Sequence, residues 1–104
     1  MSIGTPILPS TLGAVIVAEA SKTVLNITAK TLVKPSAGRA MRVSVVVAGS
    51  AVGAIYDQTS LTVDTTKTVF SIPQALGNYV VNFPCNTGIL VVPPTGGTIA
   101  VSYC

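Results

Sequence analysis

Charged side chains are scarce in this chain, and that scarcity limits how its surface can be built. Asp, Glu, Lys and Arg together make up 9% of the residues, whereas hydrophobic residues make up 49%. Ordinary soluble domains carry about 25% charged residues. The surface must therefore expose Val, Ile and Ala beside Thr, Ser and Asn, and contiguous apolar patches normally mark association surfaces. We expect other protein subunits to cover this surface.

The length of the chain allows one domain. With 104 residues, the folded protein buries roughly 65% of the surface that the unfolded chain exposes. Residues 1–11, which include Pro6 and Pro9, are predicted to form an extended N-terminal arm, and residues 12–104 a single domain. Such an arm can lie across a neighbouring subunit or add a strand to an exposed sheet edge.

Short strands joined by tight turns are the favoured local structure, because Val, Thr, Gly and Pro dominate the chain. Residues 22–34 alternate in polarity and predict one long half-buried strand. Residues 39–48 predict the next strand, with four side chains inward: Met41, Val43, Val45 and Val47. Seven or eight short antiparallel strands without helical crossovers indicate an all-β fold, a single β-sandwich, with the jelly roll as one variant.

The middle of the chain predicts a polar connection between two short strands. The strands are expected at residues 54–57 and 68–72, and residues 58–67 link them. Leu61 and Val63 are the only large aliphatic side chains in that link, and we expect them to cover one end of the core.

The last twenty residues predict a hairpin that brings the two cysteines together. If residues 88–92 pair with residues 97–101 around a four-residue loop, the continued register places Cys85 opposite Cys104. Directly paired residues have Cβ atoms about 4.5–5.5 Å apart, close to what a disulfide requires. Two states stay open, a disulfide and a reduced pair. A zinc site is not expected, because two thiols without histidine cannot complete a tetrahedral set.

Alternation along the strands also predicts which apolar side chains face outward. Four of them point away from inward neighbours and are our candidates for subunit contact: Val46, Val80, Ile89 and Val91. The N-terminal arm is a second candidate contact element.

The chain has a formal net charge of +3, and most of its positive charge lies in one part of the sequence. Five cations form a candidate basic stripe: Lys22, Lys30, Lys34, Arg39 and Arg42. Such a cluster suits phosphate groups, but it also prevents apolar strands from pairing edge to edge. We favour the second interpretation, because no aromatic residues alternate with these cations for base stacking. Nucleic acid is therefore not an expected partner.

Neither a leader peptide nor a membrane anchor is expected. The first twenty residues contain no Lys or Arg, and the apolar run at residues 14–18 stops at Glu19. Synthesis in the cytoplasm is the simplest interpretation.

The residues needed for catalysis are largely missing. The chain has no histidine, and its three acids, Glu19, Asp57 and Asp64, are scattered. Without histidine, Cys85 lacks the usual base that would activate it. We expect no enzymatic activity, no cofactor and no metal. The chain also offers few aromatic side chains on which a sugar ring could stack, because it has three tyrosines and no tryptophan.

Several segments together resemble small virion proteins of tailed bacteriophages in their order and spacing. They are Lys34–Arg39, Val43–Gly49, Gly53–Asp57, Ile72–Pro73, Tyr79–Pro84 and Gly88–Pro93. The resemblance covers residues 32–103 and implies a β-sandwich structural protein of the phage particle. Within that class, capsid decoration (cement) proteins lack catalytic residues and oligomerise on the head shell.

The function expected from sequence is therefore that of a capsid decoration protein that stabilises the head shell. Its expected partners are further copies of itself and the major capsid protein or other virion proteins. It is expected to be made in the bacterial host cytoplasm and to reside in the virion. The alternatives are a tail, fibre or adsorption component and, less favoured, a nucleic-acid-binding module.

Overall fold

The computed structural model describes residues 22–104, and all of the regular structure there is strand except for one short turn. The predicted arm at residues 1–11 and the predicted start of the domain at residue 12 lie outside the described residues. Eight strands follow one another: β1 (Lys22–Ile27), β2 (Thr31–Lys34), β3 (Gly38–Val47), β4 (Gly53–Tyr56), β5 (Thr68–Ile72), β6 (Gly77–Cys85), β7 (Ile89–Val92) and β8 (Thr98–Tyr103).

The eight strands form two four-stranded antiparallel sheets, so the predicted β-sandwich is confirmed. The first sheet has the order β1-β8-β3-β6, and the second has the order β2-β7-β4-β5. Strand 1 pairs with strand 8, 2 with 7, 3 with 6 and 4 with 5. This nested pairing, in which one long hairpin rolls up into two sheets, is that of a jelly roll.

The core lies between the inward faces of the two sheets and consists of β-branched side chains. Strands β3 and β8 supply one side, and β4, β5 and β7 supply the other. The largest buried side chains on the strands are Val43, Ile99 and Val101 from the first sheet and Ile55, Ile72, Ile89, Leu90 and Val91 from the second. Branched side chains fit the pleated surface of a strand closely, which explains why a chain rich in Val and Ile forms this fold.

The predicted single strand over residues 22–34 is wrong, because the chain breaks into β1 and β2 and passes from one sheet to the other. Asn26 adopts a left-handed φ of 55°, and the pairing register shifts between Val24 and Ile27. Asparagine tolerates this conformation better than most residues. This irregularity lies within β1, ahead of the break at residues 28–30, and there Leu25 is 71% exposed while Ile27 is buried.

The predicted C-terminal hairpin is also wrong, because β7 and β8 belong to different sheets. Strand β7 lies between β2 and β4, and β8 lies between β1 and β3, so both edges of each strand are occupied. The connecting loop contains Pro93 and Pro94, and it is tied to another loop through a hydrogen bond from the Thr95 amide to the Ala51 carbonyl. The loop therefore carries the chain across the sandwich.

Strand β3 follows the predicted alternation at its centre and departs from it near both ends. Val43 and Val45 are buried as expected, whereas Met41 is only half-buried and Val47 is exposed. Register shifts occur between Ala40 and Arg42, where the partner strand β6 bulges, and again between Val45 and Val47. A bulge changes the face toward which a side chain points, which explains both departures.

Helical structure in residues 22–104 is limited to a three-residue 3-10 turn at Thr65–Lys67. No helix in this part of the chain has the length and apolar character that crossing a bilayer demands.

Candidate functional site

The loops of the sandwich gather at two opposite ends that differ in chemistry. The proline end consists of loops 28–30, 48–52, 73–76 and 93–97, and it carries Pro73, Pro93 and Pro94. The hydroxyl end consists of loops 35–37, 57–67 and 86–88, in which Ser and Thr are frequent. Each end is a candidate site for a partner or a ligand.

Backbone hydrogen bonds between loops hold the proline end together. The Gly49 amide donates to the Gln74 carbonyl at 3.1 Å, and the Ser50 amide donates to the Thr95 carbonyl at 2.8 Å. The Thr95 amide donates in return to the Ala51 carbonyl at 3.2 Å. Three loops are thereby joined through their backbones.

Aliphatic side chains are exposed at the proline end. We call the group Val46, Val47, Val52 and Leu76 the aliphatic cluster; all four are exposed, Leu76 by 63%. Val45 pairs with Gly77, so continuing the register places Val46 beside Leu76 on the outer face of the first sheet. Scattered exposed valines are ordinary, but several exposed aliphatic side chains at one end of a small domain offer apolar surface there.

Two of the four predicted contact residues are exposed, and two are not. Val46 belongs to the aliphatic cluster, and Val80 is 62% exposed beside Arg42 on the outer face of the first sheet. The prediction that Ile89 and Val91 face outward is wrong, because both are fully buried in the core. Strand β7 is central and buried on both faces, so alternation cannot show which face is inward.

A single carboxylate fixes the loops of the hydroxyl end. Asp57 accepts hydrogen bonds from three consecutive amides, those of Asn86 at 2.9 Å, Thr87 at 2.7 Å and Gly88 at 3.3 Å. Partial burial alone would raise the pKa of Asp57, but these amides and the positive charge of Lys67 outweigh it and leave the pKa below its ordinary value. The carboxylate is therefore ionised at neutral pH and joins the two loops.

A buried glutamine organises loop 57–67 from within. The Gln58 side chain is 2% exposed, and its Nε2 donates to the carbonyls of Ser60 and Thr62 at 2.6 and 2.7 Å. Its Oε1 accepts from the Asp64 amide at 3.0 Å. The predicted covering role of Leu61 is wrong, since Leu61 is 55% exposed. Gln58 takes the interior position, because it can satisfy the polar backbone of a wrapped loop.

Asp64 caps the 3-10 turn that closes this loop. Its carboxylate accepts from the amide and the hydroxyl of Thr66, which lowers the pKa of Asp64, and so caps the 3-10 turn. The loop encloses an open cavity of about 520 Å³, which we call the hydroxyl groove. It is lined by Gln58, Thr59, Ser60, Thr62, Val63, Asp64, Thr65, Lys67 and Thr87. Sequence reasoning missed this groove, although the run of Ser and Thr at residues 59–66 was a visible signal.

The two cysteines are not neighbours, so that prediction is wrong. Cys85 pairs with Gly38 on one side of β3, whereas Cys104 exchanges backbone hydrogen bonds with Arg39 on the other side. Two strand spacings separate them by roughly 9–10 Å, beyond the Cα separation of about 4.4–6.8 Å in disulfides. Both thiols are free. Burial, followed by the charge of Asp57, raises the pKa of Cys85, so its thiol is not activated.

The candidate basic stripe is divided, because Lys30 lies at the proline end, whereas Lys22, Lys34 and Arg39 lie beside Tyr103 and Cys104 at the hydroxyl end. Lys34 donates to the Cys104 carbonyl at 3.1 Å and Arg39 to Asn82. Arg42 lies on the outer face of the first sheet, beside a shallow cavity of about 150 Å³. Lys22 begins the edge strand β1. Arg39 holds the bulge at Asn82, which blunts the edge strand β6.

No three or more His, Cys, Asp or Glu residues come together as a metal site within residues 22–104. Comparisons with known protein families, curated proteins and solved structures found no match for this chain.

Proposed function

We propose that this chain is a self-associating structural subunit of a tailed-bacteriophage particle, and specifically a capsid decoration protein that binds the head shell. In this proposal it is made in the bacterial host cytoplasm and resides in the virion. The aliphatic cluster at the proline end is the observation that carries the proposal, because it offers fixed apolar surface to a second copy or to a shell protein.

The aliphatic cluster has the properties that a contact surface needs. Its loops are joined by backbone hydrogen bonds, so little conformational entropy is lost when a partner covers the side chains. A stable interface buries about 1,200–2,000 Å² in total, and exposed aliphatic side chains suit its centre. Apolar contacts of this kind keep their strength in salt, unlike exposed ion pairs.

The fold and the resemblance of the sequence segments support the phage assignment by analogy. Jelly rolls are a recurrent architecture of viral capsid domains, although many other proteins share it and a fold alone does not specify a function. The edge strand β6 carries Val80 and Phe83 exposed, which extends the apolar surface available to neighbouring subunits.

Sedimentation velocity on the purified chain tests self-association. We expect an oligomer at micromolar concentration, and we expect the double variant Val46→Ser, Leu76→Ser to dissociate at least tenfold more readily. Leu61→Ser is the matched control, because Leu61 is similarly exposed but lies at the hydroxyl end. A monomeric wild-type protein at 100 μM, or equal weakening by the control, would contradict the proposal.

Cosedimentation with isolated phage heads and with isolated tails tests the assignment to the shell. Saturable binding to heads supports a decoration protein. Binding to tails alone would instead support the tail, fibre or adsorption alternative, and binding to neither would remove the virion assignment.

A further inference from the structure

The hydroxyl groove is an open depression lined mostly by exposed side chains, and it has the volume of a small-molecule site. Its volume of about 520 Å³ falls within the range of about 300–1,000 Å³ typical of ligand pockets. The internal hydrogen bonds of Gln58 and the three amides held by Asp57 set the loop in place before any ligand arrives. A site formed in advance loses less entropy on binding than a loop that must order.

Unused hydroxyl groups give the groove its chemistry. Among the hydrogen bonds formed within residues 22–104, none uses the side-chain hydroxyls of Thr59, Thr62, Thr65 or Thr87, all of which line the groove. A hydroxyl group is both a donor and an acceptor, so it pairs with another hydroxyl in either direction. A ligand that carries several hydroxyl groups can meet this lining without placing a charge in it.

The charges on the lining disfavour the other ligand classes. Lys67 is its one cation, whereas phosphate sites use several donors or a bidentate arginine. Asp64 is its one acid, and that carboxylate is already engaged by Thr66. A divalent cation needs several oxygen ligands, usually including more than one carboxylate. The lining has no aromatic side chain for stacking, and Val63 is the apolar residue in it against which the C–H face of a sugar ring can pack.

We propose that the hydroxyl groove binds a neutral saccharide. This inference does not depend on the proposed self-association, because it concerns the opposite end of the sandwich. In a virion protein, such a site would give the particle a contact with glycans in addition to the contact with its shell.

Two-dimensional amide NMR on the full chain tests the inference, with glucose, galactose, mannose, N-acetylglucosamine, maltose and lactose added singly up to 50 mM. We expect at least one sugar to produce saturable shifts confined to residues 58–67 and 86–88. The double variant Thr62→Val, Thr65→Val should weaken that binding at least fivefold. Thr95→Val is the matched control at the proline end and should leave it unchanged.

Other outcomes would overturn the inference. It fails if none of the six sugars gives a saturable shift, if the shifts map to the proline end, or if the double variant binds as well as the control. Inorganic phosphate is added in a parallel titration. Saturable shifts of the groove amides with phosphate and not with sugars would identify an anion site instead. Unchanged amide spectra outside residues 58–67 and 86–88 establish that the variants are folded.

Discussion

The two ends of the sandwich are held together by different kinds of interaction. At the proline end, backbone amides and carbonyls of three loops bond to one another, and the exposed side chains include the aliphatic cluster beside polar residues such as Ser50 and Gln74. At the hydroxyl end, the side chains of Asp57, Gln58 and Asp64 bond to the backbone. One end therefore presents apolar surface, and the other presents hydroxyl groups around a groove.

This difference separates the residues that hold a loop from the residues that a partner would touch. Where backbone bonds hold the loops, side chains such as Val46 and Leu76 are free to make contacts, and replacing them should leave the fold intact. Where side chains hold the loop, residues such as Gln58 cannot be replaced without losing the loop itself. The following predictions test that division.

A side chain added at Gly53, at the proline end, should lower the free energy of unfolding more than any other change considered. A Cβ atom at Gly53 would lie 2.7 Å from the Pro94 nitrogen and 2.8 Å from the Pro93 carbonyl carbon, both backbone atoms that cannot move aside. We expect Gly53→Ala to lower the free energy of unfolding by about 3 kcal/mol in urea titrations. Gly96→Ala is the control, since it meets no atom within 4 Å and pays only for its φ of 76°, about 1 kcal/mol. If both variants lowered the free energy of unfolding equally, the backbone at the proline end would be able to move away from the added Cβ atom.

Replacing the buried Gln58 should have the second-largest effect on the free energy of unfolding. Gln58→Ala removes three part-buried hydrogen bonds to the loop backbone. We expect the free energy of unfolding to fall by about 2 kcal/mol and the amides of residues 58–66 to exchange faster. Gln74→Ala at the proline end removes one exposed hydrogen bond, to Ser50, and should cost less than about 0.5 kcal/mol. If the two variants were equally stable, loop 57–67 would not depend on Gln58.

Acid should weaken the hydroxyl end through Asp57. Because folding lowers the pKa of Asp57, its contribution is complete above the unfolded-state pKa of about 3.9 and is lost as the pH falls through the folded-state value. We expect Asp57→Ala to cost about 1 kcal/mol at pH 7 and much less near pH 2, as measured by urea denaturation. A difference between the two proteins that stayed constant with pH would refute the carboxylate clamp.

Added salt should have the smallest effect, because it should hardly change self-association through the aliphatic cluster. Its effect should therefore show which end of the sandwich forms the contact. Association through the aliphatic cluster is expected to change less than about twofold in dissociation constant between 0.1 and 0.5 M NaCl, because apolar contacts are not screened. Sedimentation velocity at both concentrations measures this. A large loss of association in salt would point to the cations near the hydroxyl end as the contact.

The sequence carried enough information for the fold class and for several strands, but not for their partners. The strand predicted at residues 54–57 is found at Gly53–Tyr56, and the strand predicted at residues 68–72 is confirmed. The inward side chains Val43 and Val45 are also confirmed, because local alternation and turn residues specify them. The assignment of β7 and β8 to opposite sheets could not be predicted, since a loop with two prolines suits a hairpin and a crossing connection equally.

The candidate sites were harder to predict than the fold. Val46 and Val80 were identified as exposed because each lies on a strand with one solvent-facing side, whereas Ile89 and Val91 lie on a strand buried on both sides. The hydroxyl groove depends on Gln58, whose burial follows from the path of the whole loop rather than from its neighbours in sequence. Asp57 was interpreted only as a turn residue, since its three amide partners lie about thirty residues away.

The pairing of β1 with β8 has a consequence for how the chain folds. Because β8 occupies an interior position between β1 and β3, the first sheet cannot be completed until the last described strand has been synthesised. Contacts between residues so distant in sequence are slow to form, and until β8 arrives β1 and one edge of β3 have no partner strand. Newly made chains should therefore be most prone to aggregate just before residues 98–103 leave the ribosome, and assembly can begin only after that delay.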